Sequence, residues 1–254
     1  MARDRAQESL ERLLRDAGLA PGMRVLDVGC GYGTVSATIA RMVGDGGAVV
    51  GIDHDEAALS VAAKRMQELG IHNATFVACD LASPPAGLGV DAIVGRRVLM
   101  YVADRDAALR GLLEALRPGG VVIFQETDGS QVPQSNVPLP LHERVHRWIW
   151  QTVLREGATP TMGFELAPLL ERAGLVLEEV RAEPIVQTGT IRFGTATIVR
   201  AIMARIVGQG VATESEIDID TLDLRLEDEL VRSGGSFVGD VFFSAWARKP
   251  PGAG

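Results

Sequence analysis

Val25-Leu-Asp-Val-Gly-Cys-Gly-Tyr-Gly33 is the stretch that decides the fold. An apolar run from Met23 to Val28 enters a turn carrying Gly29, Gly31 and Gly33, and a helical pattern begins at Thr34. Glycine belongs where the backbone turns with positive φ or must lie against a ligand. A helix that starts straight after such a turn offers unpaired N–H groups and a partial positive charge. Strand, glycine turn and helix together predict the opening unit of a parallel α/β sheet. The turn suits an anionic or carboxylate-bearing ligand.

Working outward, strands alternate with helices through the first half. Helix is expected over Glu8–Asp16, with Leu10, Leu13 and Leu14 on one face. Strands are expected at Arg24–Val28, Ala48–Asp53, Thr75–Cys79, Asp91–Val94 and Val121–Glu126, with a turn over Leu116–Gly120. Helices fall near Val35–Met42, Glu56–Leu69 and Arg105–Leu116. The second half is less regular. Asp128–Pro140 reads as a loop, Leu141–Arg155 and Phe164–Ala173 as helices, and Val176–Val186 as a sixth strand. Phe193–Val207 and Thr213–Arg232 read as helices, and Phe237–Arg248 as a seventh strand. The expected fold is α/β and Rossmann-like: one domain over 1–254, with seven strands, the seventh antiparallel. Helical insertions at about 128–161 and 188–235 are expected as lids over the strand C-termini.

The glycine spacing departs from the dinucleotide fingerprint Gly-x-Gly-x-x-Gly, because position 34 is Thr. It resembles motif I of the class I S-adenosylmethionine (SAM) methyltransferases, with Asp27 as the motif's acid. Later motifs follow in the same order. Gly51-Ile-Asp53 ends the second strand, where an acid can accept both ribose hydroxyls. Asp55 fits the cap of the next helix better, which frees Asp53. Cys79-Asp80-Leu81 resembles the segment that meets adenine. Val90-Asp-Ala-Ile-Val-Gly95 resembles motif IV, and Val98-Leu-Met-Tyr101-Val the segment beneath the methionine part. Leu116-Arg-Pro-Gly-Gly120 resembles the turn before the fifth strand. Each motif is weak alone; their order over residues 20–127 makes the match strong. The nearest likeness is to the small-molecule group that includes the ubiquinone/menaquinone-biosynthesis type. The resemblance implies SAM as cofactor, held by Asp27, Gly29, Gly31, Gly33, Asp53, His54, Asp80, Leu81 and Arg96.

Composition narrows the partners. The formal net charge is −8 and no basic stripe appears, which argues against nucleic acid. No stretch approaches the roughly 20 apolar residues of a membrane span, and MARDRAQESL lacks the apolar core of a signal peptide. Cys30 and Cys79 make no disulfide framework and fit a reducing cytoplasm. The expected partner is a small-molecule acceptor; a homodimer is compatible with the sequence.

Methyl transfer from a sulfonium is an in-line displacement, so the protein mainly positions two reactants. A base is needed only for a protonated acceptor. The candidates are His142, His146, Glu126, Asp128 and Tyr101, with His best matched in pKa. Arg96 and Arg97 follow the fourth strand, where catechol-type enzymes place a metal-binding acid, so no metal is expected. Trp148, Trp150 and Met162 are candidate linings of an apolar acceptor pocket, although a Trp on an amphipathic helix is more often core. The eight acids between Glu214 and Glu229 read as a solvated helix face. Two other functions compete. A SAM-binding enzyme of this fold can catalyse a cyclisation instead of methyl transfer. His142-Glu143-Arg-Val-His146, with Glu165 downstream, also matches a zinc-peptidase ligand set.

Overall fold

The computed structural model describes residues 5–81, 83–85, 87–131 and 133–251. The first four residues of the N-terminal stretch read above therefore lie outside the described residues. Chain contacts divide the protein into two units. Unit 2 comprises 10–126, 162–181 and the C-terminal segment from 243; unit 1 comprises 127–161, 182–242 and the N-terminal residues up to 9.

In unit 2 the chain runs α1 (Arg5–Asp16, shared with unit 1), β1 (Arg24–Val28), α2 (Thr34–Val43), β2 (Ala48–Asp53), α3 (Glu56–Glu68), β3 (Ala74–Ala78), β4 (Val90–Arg96), a 3₁₀ turn (Leu99–Tyr101), α4 (Arg105–Ala115) and β5 (Leu116–Asp128). These five strands lie side by side in the order β3-β2-β1-β4-β5, each neighbouring pair parallel. The order reverses between β1 and β4, where Val28 stands opposite Gly95. In open parallel sheets a ligand crevice lies outside the strand C-termini at that switch point. The apolar face of α1 packs as its spacing predicts. Leu10, Leu13 and Leu14 join Val25, Ile39, Val94, Ile123 and Trp246 in one buried cluster.

Unit 1 is built mainly from the two insertions. It contains β6 (Gln134–Ser135), α5 (Pro140–Arg155), α7 (Thr195–Gly208), α8 (Glu214–Ile217) and α9 (Ile219–Ser233). α6 (Met162–Arg172) belongs to unit 2, while β7 (Val176–Thr188) and β8 (Ser236–Arg248) give residues to each unit. Within unit 1, Val145, Trp148, Val199, Ile206, Leu222 and Leu226 close a second core. Trp148 is thus core, and Met162, fully buried, belongs to the other unit.

β8 pairs β5 and β7 and is the antiparallel strand of the sheet. Among the described residues there are eight strands rather than seven. The extra one, β6, pairs antiparallel with β8 through Gln134↔Val238 and Ser135↔Phe237. It lies in the stretch expected to be loop; two polar residues carry no alternation to reveal a strand. β5 is also longer than expected. Its start at Leu116 absorbs the Arg-Pro-Gly-Gly turn as an irregularity, with Val90 opposite Leu116 and Ala92 opposite Val121. It also runs two residues past the expected end at Glu126; Thr127 and Asp128 are polar yet buried, so hydropathy hid them. The helix expected over 213–232 breaks at Asp218, whose φ is 42°.

Candidate active site

The turn after β1 is the centre of the candidate site. Gly29, Gly31 and Gly33 have φ of 63°, 49° and 72°, a conformation that costs a residue with a side chain about 1–2 kcal/mol. Gly29 is pressed against the segment after β4: a Cβ there would lie 2.4 Å from Val98 Cγ2. At Gly31 a Cβ would meet nothing within 4 Å. The backbone there faces open space, and its N–H donates to Asp53 Oδ2 at 2.8 Å. Gly33 is the N-cap of α2 and supplies no side-chain cap, so the first amides of α2 have no side-chain acceptor from that position.

Asp53 ends β2 as expected. Its Oδ1 accepts the Asp55 N–H at 3.1 Å, while Asp55 itself caps α3 by accepting from Ala57 and Ala58. A carboxylate oxygen has two acceptor sites. Each Asp53 oxygen, holding one amide, can therefore still accept a hydroxyl. His54 is exposed, with Nδ1 3.3 Å from Asp53 Oδ1. Asp80, exposed, follows β3, and the Cys79 N–H donates to the Asp53 carbonyl, tying the ends of β2 and β3.

Asp27 is 1% exposed and accepts the Ser36 hydroxyl at 2.5 Å. Burial pushes its carboxyl up to about 7, helped by the nearby Asp53 charge and opposed by Ser36. Placed inside β1, it lies beneath the turn instead of opening to solvent. Burial likewise raises the Cys30 thiol, and the Asp27 and Asp53 charges raise it further.

Glu126 answers a different need from the one expected. It is 0% exposed, and its Oε1 accepts the N–H groups of Val98 and Leu99, each at 3.0 Å. The carboxylate fixes the turn after β4, whose bend starts at Arg97 with φ 53°. Glu126 Oε1 is thus committed to holding that turn, while its Oε2 is buried without a hydrogen-bond partner. Burial raises its carboxyl to about 7, against the lowering pull of the amides of Leu99, Val98 and Met100 and of the Arg97 charge. Arg96 is half-buried at the end of β4, Leu81 is half-buried, and Tyr101 is 46% exposed on the 3₁₀ turn.

The raised carboxyls set a pH dependence. A carboxyl whose folded pKa exceeds its unfolded value favours folding while protonated. That contribution is complete below the unfolded value near 4 and is lost as pH climbs through about 7. Urea unfolding of the parent should therefore show stability falling between pH 4.5 and 7, with Glu126 contributing on the order of 3 kcal/mol. Glu126→Gln should flatten that slope. An unchanged slope would mean that Glu126 ionises as freely in the folded protein as in the unfolded chain.

The structure thus gathers Asp27, the three glycines, Asp53, His54, Asp80, Leu81, Arg96, Tyr101 and Glu126 in unit 2. His142 and His146 belong to unit 1, on α5. His142 is 2% exposed, with Nδ1 2.7 Å from Glu229 Oε2. His146 Nε2 lies 2.8 Å from Asp240 Oδ1, which also accepts from Trp150 Nε1 at 2.8 Å. Each ring is thus engaged by a different carboxylate, and among the described residues no three of His, Cys, Asp and Glu converge as metal ligands. Asp128, the remaining base candidate, is buried and accepts the Ser130 amide and hydroxyl.

Glu229 and Asp240 are the residues that the sequence reading missed. α5 has no side-chain cap of its own, and Glu229 accepts the Leu141 and His142 N–H groups at 2.8 and 3.0 Å. A signal existed: Glu229 follows Leu226 by three positions and precedes Leu230, on the buried face of α9. It is not one of the solvated acids.

A family model described as a methyltransferase domain matches residues 19–174. The ubiquinone biosynthesis O-methyltransferase of Rhizobium johnstonii is 30% identical over 147 residues, 58% of each chain. The ubiquinone/menaquinone biosynthesis C-methyltransferase UbiE of Shewanella woodyi is 35% identical over 115 residues, 44% of this chain and 46% of that one. The chain spans about half the length of the curated relatives it matches. The crystal structure of the [4+2]-cyclase SpnF shares the fold, with a TM-score of 0.64 at 22% identity, over 97% of this chain and 82% of that one. The chain belongs to the class I SAM-dependent methyltransferase family. Membership displaces the zinc-peptidase reading of the His pair. Among the described residues, no helix is long and apolar enough to cross a membrane.

Proposed function

We propose that the protein transfers a methyl group from SAM to a small-molecule acceptor, at oxygen or nitrogen, in quinone-type or natural-product metabolism. The observation that carries this reading is the open backbone at Gly31 beside the Asp53 carboxylate, at the switch point between β1 and β4. Both features fit the cofactor. Asp53 would take the ribose hydroxyls, the glycine turn and the start of α2 the methionine part, and Asp80 and Leu81 the adenine. Bound there, SAM supplies an electrophilic methyl on a sulfonium. The chain's own contribution is placement, together with removal of a proton where the acceptor carries one. His142 or His146 is the proposed base. The cations of Arg96 and Arg97 at the end of β4 disfavour a divalent metal, which supports a metal-independent reaction. The insertions at 128–161 and 188–235 are proposed to choose the acceptor, as lids.

Calorimetry with SAM tests the cofactor reading, and transfer of labelled methyl in an acceptor screen tests the activity. SAM binding without transfer to any acceptor class would favour a cyclase-like enzyme. Asp53→Ala should weaken SAM by about 1–3 kcal/mol through lost charge-assisted hydrogen bonds, which is roughly 5- to 150-fold. Unchanged affinity in the folded variant would remove Asp53 from the ribose role.

A further inference from the structure

The sheet ends at β3. Among the described residues β3 pairs β2 alone, so its far side is an open edge. Which backbone groups face that edge follows from the ladder. The Val49 N–H donates to the Asn73 carbonyl at 2.8 Å, and the Cys79 N–H to the Asp53 carbonyl at 3.0 Å. Along a strand the backbone groups turn to alternate sides, so positions 73, 75, 77 and 79 bond β2. The N–H and C=O groups of Ala74, Phe76 and Ala78 therefore point outward. Thr75, Val77 and Ala78 are exposed, and Ala74 and Phe76 are half-buried.

Such an edge is a template for another strand, and proteins blunt it with charge, proline or a covering element. Ala74-Thr-Phe-Val-Ala78 carries no charge and no proline. Beside it an open groove of about 620 Å³ runs between β3 and α3, where α3 contributes Ser60, Ala63, Met66 and Gln67. None of these is charged, so a second helix can approach without burying an ion. The segment is also complementary to itself. Turned antiparallel about Phe76, it sets Ala74 opposite Ala78 and Thr75 opposite Val77. His72 then stands opposite Asp80, both exposed. An imidazole has an N–H to donate in either charge state, and a carboxylate accepts it.

We propose that β3 pairs antiparallel with β3 of a second copy of this chain, about a two-fold axis through Phe76. Of the registers that the outward groups allow, this one uses Ala74, Phe76 and Ala78 together and puts His72 against Asp80. Phe76 faces Phe76 of the second copy, Ala74 faces Ala78, and each pair exchanges both of its N–H···O bonds. Asp80 keeps a second oxygen for the cofactor. The axis stands perpendicular to the sheet, so the two α3 helices lie on the same face and cover the groove between them. The interface is isologous and closes at two copies. It stands whether or not the proposed activity does.

Sedimentation velocity of the full chain over a concentration series tests the pairing. A monomer–dimer equilibrium is expected. A chain that stays monomeric at every concentration, or that grows beyond two copies, overturns the inference. Thr75→Lys alters the exposed side of β3, away from the groups assigned to SAM. It should raise the dimer dissociation constant about 2- to 30-fold, for two cross-strand pairs lost, while the circular dichroism stays that of the parent. Cross-linking reads the register without that variant. Thr75 of one copy and Val77 of the other form a non-hydrogen-bonded pair with Cα atoms about 4.5 Å apart, within reach of a disulfide. Thr75→Cys chains mixed with Val77→Cys chains and oxidised with diamide should give a covalent 75–77 dimer, which neither gives alone. A dimer without that cross-link lies on another face, which overturns the inference, as does an unchanged dissociation constant in Thr75→Lys.

Discussion

Gly29→Ala should destabilise the protein by about 2–5 kcal/mol and abolish SAM binding. Two costs add. The backbone there has φ 63°, which costs an alanine about 1–2 kcal/mol. The new methyl would also lie 2.4 Å from Val98 Cγ2 and 3.0 Å from Val98 Cβ. Val98 cannot swing aside. It is buried, β-branched, and its amide is held by Glu126. Overpacking of this kind adds about 1–3 kcal/mol. Gly31→Ala is the control. With φ 49° and nothing within 4 Å, it should pay the backbone strain alone and remain folded. Its methyl would project into the space assigned to the cofactor, so SAM affinity should fall more than tenfold. Urea denaturation and calorimetry on the two variants check both halves. Equal stability of the pair would show that Val98 does not confine Gly29.

That contrast shows what the sequence could and could not convey. The parallel core was legible because its signals are local. Val25 to Val28 are apolar, the glycines punctuate, and Asp53 and Asp80 stand at strand ends. The cap at Asp55 followed from the same local chemistry. What escaped depends on partners far along the chain. Glu126 ends an apolar strand and read as a base; its role comes from the amides of Val98 and Leu99, 28 and 27 positions earlier. Glu229 looked like one more surface acid, and its function at the start of α5 comes from residues 88 and 87 positions away. Asp240 sits within a strand pattern, and nothing near it announces His146 or Trp150. Buried polar pairs of this kind carry no periodicity, because a polar residue weakens the hydropathy signal of the face it occupies.

The His pair yields the sharpest expected difference. His142→Gln should lower turnover about 10²- to 10⁴-fold, the usual worth of a positioned base, while SAM affinity stays at the parent value. His146→Gln should change turnover by no more than a few-fold. The two rings lie one helical turn apart, yet their surroundings differ. His146 has Nε2 bound to Asp240, an acid that Trp150 also holds in place. His142 has its Nδ1 on Glu229 and its Nε2 buried without a hydrogen-bond partner. Glutamine keeps polarity and approximate size at either position but cannot take up a proton near neutral pH. The measurement is single-turnover methyl transfer with the acceptor found by screening, beside calorimetry with SAM. Parent rates in both variants would leave placement alone as the source of catalysis. A larger loss in His146→Gln would move the base to that ring. Loss of activity on chelation would bring back a metal at the pair, against the separate carboxylate partners that the two rings now have.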